Sequence, residues 1–328
     1  MLGISIPAYR ESKLINDTIK SLINELDNVN FIAVVIEDGC NENTLSHIKT
    51  KDKRIHFIKN NKNYGVGYST LKGFEYLKER NCTCLIKFDA DGQHDSKHIM
   101  DVYLLCEEIR KRKLSKPFII KGSRYDALSI GRVPLSRRIG SLLIEPLSRG
   151  AINYRDLSDI ANGMICFSID SYKILRKRYK VKIENRYLFE SSIIANVGLL
   201  NFDIYEFPMD RIYNSRISSN MNEYKMIFSI LSLWLKTYFI RIKDSAISKI
   251  GLRTILLFIS LIFANLSLLH YFLVIRKINN LGQFVSPGTA GLQIFFMTTF
   301  VFSLIVFYIT DYLKCNKTIK FITKNFYK

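Results

Sequence analysis

Two stretches near the end of the chain constrain its fold most. Thr254 to Ile275 runs 22 residues without a charged side chain, and Gly291 to Thr310 runs 20. At about 1.5 Å per residue, a helix of either length crosses the roughly 30 Å of a bilayer's hydrocarbon core. Both runs are dense in Leu, Ile and Phe and show no polar stripe at helical spacing, unlike the amphipathic helices of a globular core. The sequence therefore predicts a hairpin of two transmembrane helices, at about 254–275 and 291–310.

The flanking charges orient that hairpin. Lys236, Arg241, Lys243, Lys249 and Arg253 precede it and Lys314, Lys317, Lys320, Lys324 and Lys328 come after it, whereas the connection holds only Arg276 and Lys277. The positive-inside bias predicts a multi-pass membrane protein with both termini, and everything before the first span, in the cytoplasm. Met226 to Ile240 interleaves Ile, Leu, Phe, Trp234 and Tyr238 with Lys236, which suits an interfacial helix about as well as a core helix. Met1 to Pro7 reads as a buried strand, not as an export signal.

The first half has a different rhythm. Leu2 to Ile6, Phe31 to Ile36, Ile55 to Ile58, Leu85 to Phe88 and Phe118 to Lys121 are short apolar runs, and Leu14–Leu26, Tyr68–Lys78 and Ile99–Arg110 between them carry apolar residues at helical spacing. That alternation predicts an α/β domain with a mostly parallel sheet and helices on both faces. Ligands in such sheets lie at the carboxyl ends of the strands. There the chain places Pro7-Ala8-Tyr9-Arg10-Glu11, Glu37-Asp38-Gly39, Asp89-Ala90-Asp91-Gly92-Gln93-His94 and Gly122-Ser123-Arg124-Tyr125. Residues from about Ile130 to Met221 read as the acceptor-side half of the same domain, with a strand at Met164 to Ser168.

The formal charge of +19 in 328 residues suits an anionic membrane or a phosphorylated substrate, and no nucleic-acid motif accompanies it. The six cysteines have neither zinc spacing nor a disulfide pattern, so free thiols in a reducing cytosol are expected. His94 and His98, one turn apart, read as a helix face. The Asn63–Gly67 segment lacks the spacing of a dinucleotide or P-loop fingerprint and reads as a helix start with close packing.

Asp89 and Asp91 stand two apart at the end of an apolar strand, so an extended backbone aims both carboxylates one way. Such a pair holds a hard cation, Mg²⁺ or Mn²⁺, against a diphosphate. Alone, an Asp-x-Asp turn more often caps the next helix. Here it shares a sheet edge with Asp38 and Glu11, and four ordered motifs carry a resemblance: Pro7–Glu11, Val34–Gly39, Asn63–Gly67 and Phe88–His94 together resemble the family 2 glycosyltransferases, whose nucleotide-binding fold is termed GT-A. Within that family the pattern is similar to polyprenyl-phosphate sugar synthases of the dolichol-phosphate mannose synthase type. Gly122–Tyr125, Asp159 to Gly163, Phe189-Glu190, Glu206-Phe207-Pro208 with Asp210-Arg211, and the final span extend it. Glu37 in place of Asp, Cys40 in place of Ser, and Ser218-Ser219-Asn220 in place of a Ser-Lys pair depart from it.

The resemblance implies a GT-A catalytic domain over 1–221, a juxtamembrane region over 222–250, and two spans with a basic tail over 251–328. Pro7, Tyr9, Glu11, Ile36 and Asp38 would frame the donor's base and ribose. Asp89, Ala90, Asp91 and Gln93 would hold the metal and diphosphate, with Asp89, Asp91 and Gln93 as ligands. Arg124 and Arg211 would clamp phosphate, and Asp89, Asp91, Asp159 and Arg124 form the catalytic set. Arg132, Arg137 and Arg138 would attract an acceptor phosphate. The expected activity is inverting, metal-dependent transfer from a UDP- or GDP-linked sugar to a polyprenyl phosphate at the cytoplasmic face. The alternatives are a sugar hydroxyl of a lipid-linked or cell-surface glycan, with Asp159 or Glu190 as proton acceptor, and a non-catalytic membrane scaffold. A homo-oligomer is left open.

Overall fold

The computed structural model describes residues 1–12, 14–39, 44–90, 95–112, 116–123, 147–160, 162–209, 223–248 and 251–320, without the side chains of 223–226, 245–248 and 320. They fall into two compact units, Met1–Thr237 joined by the segment from Lys317, and Tyr238–Asn316.

In the first unit β1 (Leu2–Ala8) lies between two parallel partners, β2 (Phe31–Glu37) and β4 (Cys84–Lys87), and β3 (Ile55–Lys59) continues beyond β2. Past β4 come β6 (Ile165–Ser168), antiparallel to both neighbours, then β5 (Phe118–Ser123), β7 (Asp203–Pro208) and the two-residue β8 (Ile319–Lys320). The order is β3-β2-β1-β4-β6-β5-β7-β8, and five of the seven pairings are parallel, as the alternating pattern predicts. Reversal of the winding between β1 and β4 opens a crevice at their carboxyl ends.

Side-chain alternation along β1 sorts the two faces. Leu2, Ile4, Ile6 and Ala8 join Ile15, Ile19 and Leu22 of α1 (Ile15–Glu25) and Ile99, Val102 and Leu105 of α3 (Lys97–Lys111) in one buried core. Gly3 and Ser5 face the other way, toward α2 (Val66–Glu79). The approach there is so close that a Cβ on Gly73 would lie 2.1 Å from Ser5 Oγ. Three cysteines scattered in the sequence also meet in the first core: Cys84, Cys106 and Cys166 place their sulfurs within 4.8 Å of one another. Sequence spacing alone misses this cluster, because the fold brings it together from two strands and α3. Burial pushes the Cys84 and Cys166 thiols well above the usual range, while hydrogen bonds from these two neighbours lower that of Cys106.

Beyond β5, a short helix spans 147–152 (α4), and α5 (Ile169–Arg178) starts at Ser168, whose hydroxyl accepts from Ser171 N. Then α6 (Phe189–Leu199) is buried over nearly its whole circumference. Asn196 stitches it to the preceding loop, accepting from Lys180 N and Val181 N and donating to Val181 O.

The helix α7 (Glu223–Ser248) carries the chain into the second unit. There α8 (Leu252–His270) passes through a π turn at Tyr271–Ile275 into α9 (Arg276–Asn280), and α10 (Pro287–Leu313) returns antiparallel. Gln293 binds His270 and Ser267 across the hairpin at 2.9 Å, and Phe263 packs edge-on against Phe295. Leu252–Asn280 and Pro287–Leu313 are long and apolar enough to cross a membrane, with mean hydropathy 2.1. The first reaches beyond its predicted end, because Arg276 and Lys277 continue the helix; absence of charge marks the hydrocarbon-compatible stretch, not the helix terminus.

Candidate active site

The crevice is built from the segments that leave the carboxyl ends of β1, β2 and β4. Proline interrupts central strands, since it donates no ladder hydrogen bond, yet Pro7 sits in β1. Ser5 O accepts from Phe88 N on the β4 side, while Ala8 O accepts from Asp38 N on the β2 side. By alternation the missing N–H of Pro7 falls on the β4 side, beyond the last β1–β4 pair, Ser5 with Lys87. Pro7 therefore ends pairing where the crevice opens. Tyr9, 40% exposed, stands at its rim beside the Arg10 guanidinium. The Glu11 carbonyl accepts from Leu14 N and Ile15 N and starts α1. Ile36 is fully buried within β2.

Asp38, 2% exposed, fixes the glycine-containing loop before α2. Its Oδ1 accepts from Tyr64 N at 3.0 Å and Asn60 Nδ2 at 3.0 Å, and its Oδ2 accepts from Gly65 N at 2.7 Å. A carboxylate with several N–H donors is an effective loop anchor. Gly65 has φ +101°, and a Cβ there would lie 2.3 Å from Asn185 O, so the loop needs glycine for both conformation and approach.

Asp89 lies just past the end of β4. Its Oδ1 accepts from Lys87 Nζ at 2.5 Å, and the same ammonium reaches Glu190 Oε1 at 3.1 Å and Gly163 O at 3.2 Å. Lys87 is 1% exposed, whereas the Asp89 side chain is 22% exposed at the crevice. Burial alone lowers the Lys87 pKa, but the charges of Asp89 and Glu190 reverse this and hold it above the ordinary lysine value. The turn that carries Asp159 closes over the pair: a Cβ on Gly163 would lie 2.1 Å from Asp89 Oδ2. Asp159 is buried, with Asn162 Nδ2 at 3.4 Å. Lys121 of β5, also buried and level with Lys87 across Ile165, donates to Asn162 O. Glu206 of β7 accepts from Ser158 N at 2.8 Å and Ser158 Oγ at 2.7 Å. The Asp159 turn is thus held from β4, β5 and β7 together.

Of the residues anticipated from sequence, Pro7, Tyr9, Glu11, Ile36, Asp38, Asp89, Ala90, Asp159 and Glu190 are described. Asp91, Gln93, Arg124, Arg132, Arg137, Arg138 and Arg211 lie outside the described residues. Sequence reasoning missed Lys87 and Lys121, and named Glu206 only within a motif, without a role in the site. A signal existed for Lys87: a lone cation in the run Cys82–Phe88, two before Asp89 and so on its face of the strand.

Residues 4–112 match the model described as Glycosyl transferase family 2. The chain thus carries a family 2 glycosyltransferase domain on a GT-A sheet and is a glycosyltransferase. It is 27% identical over 255 residues to the UDP-N-acetylglucosamine--dolichyl-phosphate N-acetylglucosaminyltransferase of Methanococcus voltae, covering 71% of this chain and 96% of that one. It is 24% identical over 216 residues to glycosyltransferase AglD of Haloferax volcanii, covering 64% of this chain but only 32% of AglD. Among solved structures, glucosyl-3-phosphoglycerate synthase from Mycobacterium tuberculosis with uridine-diphosphate shares the fold, with TM-score 0.50, 12% identity, and coverage of 73% of this chain and 80% of that one.

Proposed function

We propose that the protein transfers one sugar from a uridine-diphosphate donor to a polyprenyl phosphate at the cytoplasmic face of a membrane, inverting the anomeric centre in a single displacement. The observation that carries the acceptor class is the condition of the carboxylates considered as bases. Glu190 is paired with the buried Lys87, and Asp159 is 2% exposed. A sugar hydroxyl must lose a proton to a positioned base. A phosphate monoester arrives with its negative charge and needs none. Likeness along most of the chain to a dolichyl-phosphate N-acetylglucosaminyltransferase supports the same acceptor and a uridine nucleotide.

On this reading Tyr9 offers an aromatic face to the base, and the Asp38-anchored loop shapes the wall beside it. Asp89, hydrogen-bonded on Oδ1 by Lys87 and partly open to the crevice, supplies a hard oxygen suited to Mg²⁺ or Mn²⁺, with Asp91 and Gln93 as further ligands. When bound, that cation would neutralise charge on the departing diphosphate. Lys87 keeps the Asp89 carboxylate aimed from below, and Arg124 and Arg211 clamp phosphate. Arg132, Arg137 and Arg138 draw in the acceptor. The apolar helices α8 and α10, only 11% buried over their most hydrophobic windows, are the membrane spans, and the flanking Lys and Arg set their orientation.

The test uses membranes containing the full chain, UDP-[¹⁴C]N-acetylglucosamine and dolichyl phosphate. Label should enter the organic-solvent extract, and chelator or Asp89→Asn should abolish it. Label confined to water-soluble product would overturn the acceptor, and full transfer in chelator would overturn the metal.

A further inference from the structure

Three charged side chains meet where the apolar hairpin ends. Arg253 stands in the first turn of α8 and Asp311 in the last turn of α10, and Arg241 comes from α7. Arg253 Nη1 donates to Asp311 Oδ1 at 3.0 Å, Arg241 donates to Asp311 Oδ2, and the Tyr238 hydroxyl donates to Oδ2 at 3.3 Å. Asp311 is buried, so the two guanidiniums are fixed from within the unit. Beside them lies an open cleft whose other walls are the apolar Ile242, Leu257 and Phe307 and the hydroxyl-bearing Thr254.

We propose that this cleft is a binding site for the anionic phosphate head of a membrane lipid. The chemistry comes in two adjoining halves. Guanidinium pairs with phosphate through parallel hydrogen bonds, and fixing it beforehand with Asp311 removes much of the ordering entropy that binding would otherwise cost. The apolar walls continue along α8 and α10, matching the first carbons of a lipid chain. The level also fits: the cluster lies at the first residues of one span and the last of the other, where hydrocarbon gives way to head groups, and not at mid-span, where buried charge is most costly. The site rests on α8 and α10 being embedded in a bilayer and is independent of sugar transfer. Its ligand is a phosphate-bearing amphiphile, either the polyprenyl phosphate acceptor or a resident anionic phospholipid.

The test is lipid retention by the full chain in phosphatidylcholine nanodiscs doped with dolichyl phosphate or with phosphatidylglycerol, read by mass spectrometry of the lipid that stays bound on exchange into undoped discs. Arg253→Gln removes one phosphate donor, and Leu257→Trp fills the cleft without altering charge. Each should lower anionic-lipid retention roughly tenfold while circular dichroism stays unchanged. If Arg253→Gln does not fold, Leu257→Trp alone decides. Retention of dolichyl phosphate alone would assign the acceptor; retention of phosphatidylglycerol alone or of both would assign a general anionic head-group site. Equal retention by wild type and variants would overturn the proposal, as would recovery of the chain wholly from the soluble fraction. Retention needs no donor, so a failed transfer assay leaves this result intact.

Discussion

Lys87 bridges a buried strand and an open site, and most of the local electrostatics passes through it. Its ammonium faces Asp89, Glu190 and the Gly163 carbonyl, so Lys87→Met leaves two carboxylates facing each other without their cation. Removing one partner from a buried pair costs about 3–5 kcal/mol, and thermal unfolding of Lys87→Met should show a loss of that order. The folded-state pKa of Lys87 is raised, so its contribution is fully present below the unfolded value of about 10.4 and fades only as pH rises toward the folded one. The stability gap between wild type and Lys87→Met should therefore be flat from about pH 7 to about pH 9; a gap that closes on going from neutral to mildly alkaline pH would contradict the pairing. Gly163 makes a second, steric demand, because a Cβ there would lie 2.1 Å from Asp89 Oδ2. Gly163→Ala should displace that carboxylate by about an ångström and lower kcat by roughly 100-fold with little change in fold. The Asp89 motif was legible in the sequence as a strand-end acid. Its dependence on Gly163, and on Glu190 through Lys87, was not, since those contacts join residues 74 and 103 positions apart.

The elements that sequence foretold are those with simple periods. Strands β1 to β5 are short apolar runs, and α1, α2 and α3 each bury one face, so periods of 2 and 3.6 locate them. The antiparallel direction of β6 leaves no trace in its own four residues, because strand direction is decided by the path of the connecting chain. β7 hid because buried Glu206 interrupts its apolar run, and α6 hid because a helix buried nearly all round has no polar stripe to reveal its period. The contact between α2 and β1 gives a prediction at this scale. Gly73→Val forces a branched side chain onto Ser5 Oγ and should destabilise the domain by about 1–3 kcal/mol in denaturant titration; an unchanged midpoint would mean α2 sits further from the sheet.

Across the whole chain, composition by itself separates the parts: charge and strand-helix alternation fill the first two-thirds, and two charge-free runs mark helices long and apolar enough to cross a membrane. What composition could not foretell is that the segment after the second apolar helix belongs to the sheet of the first unit. Thr318 N donates to Asp156 Oδ1 at 2.8 Å, and Thr318 Oγ1 donates to Glu206 Oε2 at 3.1 Å, the same Glu206 that holds Ser158 beside the Asp159 turn. A chain ending at Asn316 loses β8 and both bonds, and its first unit should be less stable by about 1–3 kcal/mol, measured by thermal unfolding in detergent. The identity of the sugar acceptor and the bond broken in the donor decide the function of the whole molecule. Purified full chain in nanodiscs, given UDP-N-acetylglucosamine, Mn²⁺ and dolichyl phosphate, should yield a lipid whose mass is dolichyl monophosphate plus one sugar residue, with UDP released in equal amount. A lipid carrying a sugar diphosphate with UMP released, or no glycosylated lipid while sugar appears on a water-soluble acceptor, would contradict it.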